Sequence, residues 1–445
     1  MLTIEFAFFL VGFIIMVGYF GLIVFKKTKI SEIILLLILG LIIGPISKEI
    51  GFFLISPSQL NAFQSFLPFF ASFALIMILF EGGMQLNFFK TIKALPISLV
   101  FTLIVFLSGL ILTILSLFVL SLLGFIMFDL LLAVFIGAIL GGTSSAVIVP
   151  VVKNTSANDE TKTLLSLESA LTDALCIITV VAIAQIFLSG SVSVEMIAGG
   201  IMANFSIAAV TGFCVGILWL KVLSHLHSKK YEYLVTLAVL LFLYSVVQNI
   251  GGNGAIAALI FGIVLGNSED ITTMLKITKR TVNNDIKNFQ SEISFLIKTF
   301  FFVYLGILFQ INFLSIPVIV ISITIIVLIF LSRTFGSIIL QKIMPIFTKD
   351  RQLIAFMSAR GLAAAVLVSI PITMGLDKVA PEIFTNLMIN QITAISFLVI
   401  FGTNILTTIG IFLNEKNNPP IDKPDEKELL LKEIKADLNK ISTKI

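Results

Sequence analysis

Glu168 and Asp173 sit five residues apart in TLLSLESALTDALCIITVVAIAQ, residues 163–185, a stretch otherwise apolar enough to cross a membrane. A charged side chain at the bilayer centre costs about 2.5–3.5 kcal/mol on insertion scales, so a chain that keeps one there uses it on an ion or neutralises it with a partner. On a helix the two carboxylates point about 140° apart, which argues against a shared carboxylate dyad. Ser169, Thr172 and Asp173 fall at i, i+3 and i+4 on one face, and Glu168 and Thr172 share the adjoining face. One helix therefore offers two chemistries: an oxygen cluster centred on Asp173, and a separate anion at Glu168.

The cations that could answer these anions are few. Arg360, in FMSARGLAAAVL, lies mid-span and cannot be deprotonated. A permanent buried cation needs an anion, and the sequence assigns it to Glu168 as a structural ion pair. That assignment leaves Asp173 free to exchange ions. Lys298 and Arg333 are accessory charges. Lys298 suits Asp173 or Glu81, and Arg333 either snorkels to the cytoplasmic interface or contacts the core. Glu81, in LIMILFEGGMQL, is a third carboxylate of an ion path or an interfacial residue.

A second constellation is GAILGGTSSAVIVPVV. Gly141 and Gly142 weaken a helix there, and Pro150 lacks a backbone donor. Unwound backbone at membrane depth survives only against protein or a water-filled cavity, and its carbonyls can coordinate a small cation. The hydroxyls of Thr143, Ser144 and Ser145 add hard oxygen ligands suited to Na+ or K+. The alternative is that they bond back to their own helix. No cofactor is called for.

These residues must be held by membrane-spanning elements. The chain of 445 residues is 58% hydrophobic and 12% charged, far from soluble globular usage. Apolar runs near the length of a bilayer core recur to residue 412, giving about thirteen helical spans. They fall near 5–25, 31–47, 66–86, 94–120, 129–152, 163–188, 196–221, 231–249, 254–267, 294–312, 315–340, 352–372 and 385–412. Loops after odd-numbered spans carry 17 basic residues and loops after even-numbered ones carry only Lys48 and Lys378. The asymmetry puts the N-terminus outside and the C-terminus in the cytoplasm of a multi-pass cell-membrane protein. Residues 1–412 form one transmembrane domain, and 413–445 a charged cytoplasmic tail with a short amphipathic helix at Leu430, Ile434, Leu438 and Ile441. Cys176 and Cys214 read as small buried hydrophobes. The formal charge of +4 does not suggest nucleic acid. The spans hold no histidine, no metal-ligand pair and no activated serine motif, so the chain does not read as an enzyme.

A weak internal repeat organises the spans. GLIIG at 40–44 resembles GIVLG at 262–266, and GTSSAVIV at 142–149 resembles GLAAAVLV at 361–368. Both matches pair spans seven apart. An odd offset reverses orientation, so residues 5–188 and 231–412 form an inverted-topology repeat, a plan many secondary transporters use.

GLIIGP, LFEGG, the hydroxyl-rich break at 143–145, LESALTDA, NGAIAALIFGIVLGN, FFFVYLGILF and SARGLAAAV occur in that order. The ordered set resembles the monovalent cation:proton antiporter superfamily, and in particular its NhaP-type sodium/proton exchangers, over about residues 1–412. The resemblance implies an all-α fold of 13 spans with spans five and twelve unwound and crossing, and a homodimer whose core domain moves against a dimerisation domain. It further implies that Asp173 is the cation- and proton-binding aspartate. Thr143 and Ser169 would help coordinate the ion, Glu81 would lie near its path, and Glu168 and Arg360 would form a structural pair. Two departures stand out. Many members have Asn-Asp at Thr172-Asp173, and many have Thr-Asp-Pro at Thr143-Ser144-Ser145. The second loses a carboxylate and resembles the branch containing potassium-efflux transporters. The expected activity is electroneutral exchange of Na+, or of Li+ or K+, for H+. A K+/H+ antiporter, a cation channel and a sodium-coupled organic-solute symporter are the alternatives.

Overall fold

The computed structural model describes residues 4–28, 30–50, 57–85, 95–153, 155–189, 194–225, 231–274, 284–309 and 314–417. The tail read as an amphipathic helix lies outside them, apart from the end of the last span. Among the described residues the regular structure is helical. The first half of the chain contains α1 (Ile4–Thr28), α2 (Glu32–Leu41), α3 (Ser47–Glu49), α4 (Pro57–Gln85), α5 (Leu95–Leu122), α6 (Leu130–Ile139), α7 (Ser145–Lys153), α8 (Asp159–Ser189) and α9 (Val194–His225). The second half contains α10 (Glu232–Asn249), α11 (Gly254–Gly266), α12 (Ser268–Met274), α13 (Asn284–Leu308), α14 (Ile316–Ile343), α15 (Arg351–Phe356), α16 (Leu362–Leu367), α17 (Ile370–Thr373), α18 (Leu376–Val379) and α19 (Asn386–Asn417).

Each span drawn from the sequence falls on one of these helices or on a broken pair. Among the described residues, seven helices are long and apolar enough to cross a membrane unaided. The others are shorter or interrupted. A π-helical turn, Ile42–Ile46, joins α2 to α3 and contains Pro45, whose missing amide hydrogen cannot continue the α-helical ladder. Spans five and twelve are each broken, between α6 and α7 and between α15 and α16. The first break lies at Leu140–Ser144, on the glycines, and the helix then continues through Pro150.

The helices sort into two bundles by what they pack against. One contains α5–α8, α14–α16 and α19; the other contains α1, α2, α4, α9–α11 and α13. They meet where α4 faces α8 and α16, where α13 faces α16 and α19, and where α2 faces α19. The GxxxG glycines fix the second bundle. Gly40 and Gly44 lie against the backbone of Val303, Gly306 and Ile307 in α13, and Gly262 and Gly266 lie against the backbone of Phe80 and Met84 in α4. A Cβ at any of the four would strike main chain. These contacts join span two to span ten and span nine to span three, so each is the other's image under the seven-span offset. The repeat seen in the sequence is thus present in the packing.

Cys176 is buried, as expected, but Cys214 is exposed on α9. Its neighbours Phe213 and Leu218 on the same helix are also exposed.

Candidate ion-binding site

The two helix breaks lie against each other. The amide of Ser144 donates to the carbonyl of Ala359 at 2.8 Å. Gly361 packs so tightly on the Ser144 side chain that no Cβ fits there. Each break leaves backbone groups without helical partners, and a long unbroken helix from the same repeat supplies them. For the first break that helix is α8. Thr143 N donates to Thr172 Oγ1 at 3.2 Å, and Ser145 N donates to Asp173 Oδ2 at 3.1 Å. For the second break it is α19. Arg360 N donates to Thr403 Oγ1 at 3.2 Å, Ser358 N to Thr407 Oγ1 at 3.2 Å, and Asn404 Nδ2 to Arg360 O at 2.8 Å. The Thr172-Asp173 pair of one repeat thus corresponds in position and task to the Thr403-Asn404 pair of the other. Sequence reading missed Thr403 and Asn404, although the Thr-Asp/Thr-Asn likeness at corresponding spans was the available signal.

The carboxylates of α8 diverge as their spacing requires. Asp173 points to the start of α7, where Oδ2 accepts both the amide and the hydroxyl of Ser145, the latter at 2.8 Å. A carboxylate at a helix N-terminus is favoured by the unpaired amides and the helix dipole. Among the described residues no cation lies within ion-pair distance of Asp173, and Oδ1 makes no hydrogen bond. Both are buried, Glu168 completely at 0% and Asp173 at 8% exposure.

Glu168 is paired, but not with Arg360. Its Oε1 lies 3.0 Å from Nη1 of Arg333 on α14, and Oε2 lies 3.5 Å from Nη2. Thr143 Oγ1 donates to Oε1 at 2.9 Å. The expected Glu168–Arg360 ion pair is therefore corrected: the structural pair is Glu168–Arg333, and it ties α8 to α14. Arg360 has other work. Its Nε donates to Leu140 O at 2.7 Å, Nη2 to Gly141 O at 3.2 Å and Nη1 to Ser358 O at 2.9 Å. Two of these carbonyls lie at the C-terminal end of α6, where a cation complements the helix dipole. The guanidinium of one break thereby caps the other.

The remaining hydroxyls have separate partners. Ser145 bonds Asp173 directly. Thr143 and Thr172 bond each other at 3.0 Å on the Glu168 side. Thr172 Oγ1 also reaches Glu168 O at 3.0 Å, and Ser169 Oγ bonds back to Ser166 O at 3.1 Å. Ser144 is committed to the crossing. On α4, Glu81 accepts from Ser294 of α13 and, at 3.1 Å, from Gln85. Lys298 pairs with neither Asp173 nor Glu81. Its Nζ lies 2.6 Å from Oε1 of Glu32, at the first turn of α2, a residue that sequence reading did not single out. The arrangement leaves one carboxylate, Asp173, at the crossing of two unwound segments, beside a hydroxyl, without a counter-cation among the described residues, and at the boundary between two bundles.

Residues 12–414 match the family described as "Sodium/hydrogen exchanger, transmembrane". A relative named Na(+)/H(+) antiporter 1, from Methanocaldococcus jannaschii, is 26% identical over 442 residues, covering 88% of this chain and 92% of its own. The solved structure of the sodium proton antiporter MjNhaP1 from the same organism at pH 8 shares the fold, with a TM-score of 0.75 at 23% identity over 92% of this chain and 97% of that one. A K(+)/H(+) antiporter NhaP2 from Shewanella sp. strain MR-4 is 30% identical over 149 residues, 32% of this chain and 25% of its own. With a match that runs through both helix breaks and every described span, the chain belongs to the sodium/hydrogen exchanger family.

Proposed function

We propose that the chain is a secondary active antiporter that exchanges one monovalent cation for one proton, with Asp173 as the group both compete for. The supporting observation is the division of labour on α8: Glu168 is sealed and neutralised by Arg333, whereas Asp173 has no cation partner among the described residues. Asp173 holds either a proton or a dehydrated cation. Ser145 supplies the nearest additional oxygen, and Thr143, Ser144, Ser169 and Thr172 line the helices around it. Because Lys298 is engaged by Glu32, no second charge need change at Asp173, and exchange is electroneutral. The bundle carrying α8 moves against the bundle carrying α4 and opens Asp173 to each side in turn.

We take sodium as the first substrate, following the antiporter relative matched over most of its length. Potassium is the second reading, favoured by the absence of a carboxylate at Thr143–Ser145 and by the partial likeness to a K(+)/H(+) antiporter. The N-terminus lies outside and the C-terminus in the cytoplasm, as the basic residues of alternate loops argue. The protein works as a homodimer in contact with lipid. The test is cation-driven proton movement in proteoliposomes, followed with a pH-sensitive dye for Na+, Li+ and K+ in turn. Asp173→Asn is expected to abolish exchange, and exchange at the wild-type rate overturns the assignment.

A further inference from the structure

Lys298 belongs to a polar stripe on α13 that the exchange site does not use. Gln290, Ser294 and Lys298 follow one another at i, i+4 and i+8, on one face. Gln290 Nε2 donates to Met77 O on α4 at 3.0 Å and reaches Ser294 Oγ at 3.4 Å. Ser294 in turn donates to Glu81. One turn further, about 6 Å along the helix axis, Lys298 meets Glu32 of α2. Two carboxylates from two helices therefore sit on adjacent turns of one face, and the single lysine between them goes to Glu32. The hydrogen-bond partners of Glu81 among the described residues are the neutral groups of Ser294 and Gln85, and Lys298 acts on it only through space, without an ion pair.

The lysine is held firmly on the Glu32 side. Both residues are buried. Phe295 places its ring centroid 6.0 Å from Nζ. Glycines let α1 close over the pair: Gly21 lies against the Glu32 side chain, and Gly18 lies against Thr299, next to Lys298. Glu32 at the first turn of α2 also gains from the helix dipole. Glu81, by contrast, is only partly buried, on the helix that faces α8 across the bundle boundary. Four freely rotating methylenes would let an unpaired Lys298 swing one turn to Glu81, where Coulomb attraction in a poorly screened site would keep it.

We propose that Glu32 sets the affinity for the transported cation by holding Lys298 out of direct contact with Glu81, which keeps a carboxylate without an ion-pair partner beside the route to Asp173. Glu32 is a positioning residue in this scheme and touches no transported ion. The inference rests on the proposed exchange activity. It explains why the chain keeps a buried ion pair remote from the crossing, where an apolar pair of similar volume would be no less stable.

The experiment measures KM and maximal rate for Na+ in proteoliposomes containing the wild type, Glu32→Gln, and Glu32→Gln with Lys298→Met. Glu32→Gln is expected to raise KM at least fivefold while the maximal rate stays within twofold, because the freed lysine neutralises Glu81. The double variant is expected to return KM to within twofold of wild type. A KM unchanged in Glu32→Gln, or raised equally in both variants, overturns the proposal and leaves the pair a structural one. Where Glu32→Gln yields no folded protein, Glu32→Asp, which shortens the reach by one methylene, replaces it with the same two outcomes. A wild type that moves no proton against Na+, Li+ or K+ refutes the exchange reading itself and is distinguished before any variant is compared.

Discussion

Arg333→Gln is the substitution that probes the architecture most directly. Arg333 and Glu168 are both fully buried and joined through two guanidinium nitrogens, at 3.0 and 3.5 Å. Removing one partner of a buried pair costs about 3–5 kcal/mol, because the other charge is stranded. The lost bond from Arg333 Nε to Ile354 O adds about 1 kcal/mol, and the Thr143 hydroxyl that stays on Glu168 offsets a similar amount. The expected loss is therefore about 3–5 kcal/mol for Arg333→Gln alone. Glu168→Gln with Arg333→Gln strands no charge and should cost less than Arg333→Gln, giving a coupling energy of roughly 2–3 kcal/mol. The same cycle between Glu168 and Arg360 should give less than about 1 kcal/mol, since Arg360 spends its donors on carbonyls. Reversible unfolding in mixed micelles, followed by the fluorescence of Trp219, the single tryptophan, measures all three. Coupling to Arg360 as strong as coupling to Arg333 would refute the pairing.

Two further substitutions test the crossing itself. Ser145→Ala removes the hydroxyl that donates to Asp173 at 2.8 Å, and with it one oxygen ligand. A bond to a charged group is worth about 1.5–3 kcal/mol, so KM for the cation should rise at least about tenfold in the liposome exchange assay, with the protein still folded. Gly361→Ala drives a methyl into Ser144 at the point where the two breaks touch. Overpacking of this kind costs about 1–3 kcal/mol, and the expected outcome is a lower unfolding midpoint together with loss of exchange. An unchanged midpoint would mean that the breaks are not in contact.

Much of the frame was legible because membrane burial is a one-dimensional signal. Apolar length marks spans, and Gly141-Gly142 mark the first break. The inverted repeat was visible for a physical reason too: GxxxG motifs persist where backbones touch, and here they touch in the two symmetry-related places, Gly40 on Gly306 and Gly262 on Phe80. Side-chain pairing was less legible. Glu32 lies at the edge of its span, where a carboxylate reads as solvated. Only the approach of α1 and α13 buries it. Gln290 lies before the span read at 294–312 and Ser294 is its first residue, so the stripe they form with Lys298 was not singled out.

The arginine assignment shows where sequence reasoning stops and how it can be improved. Arg333 and Arg360 are both mid-span and both permanently charged, and counting charges against Glu168 does not choose between them. The choice follows from the backbone. An arginine inside an unwound stretch is surrounded by carbonyls that have lost their helical donors, and five N–H groups in a fixed fork suit several of them at once. Arg360, in the break before α16, takes that role with Leu140, Gly141 and Ser358. Arg333, inside the continuous helix α14, has few free carbonyls to serve: one donor goes to Ile354 O, and the rest of the fork needs a side-chain anion. Glu168 is the carboxylate it meets. The same reasoning keeps Asp173 unpaired: with one arginine committed to backbone and the other to Glu168, and with Lys298 committed to Glu32, no cation of the described spans is left to neutralise it.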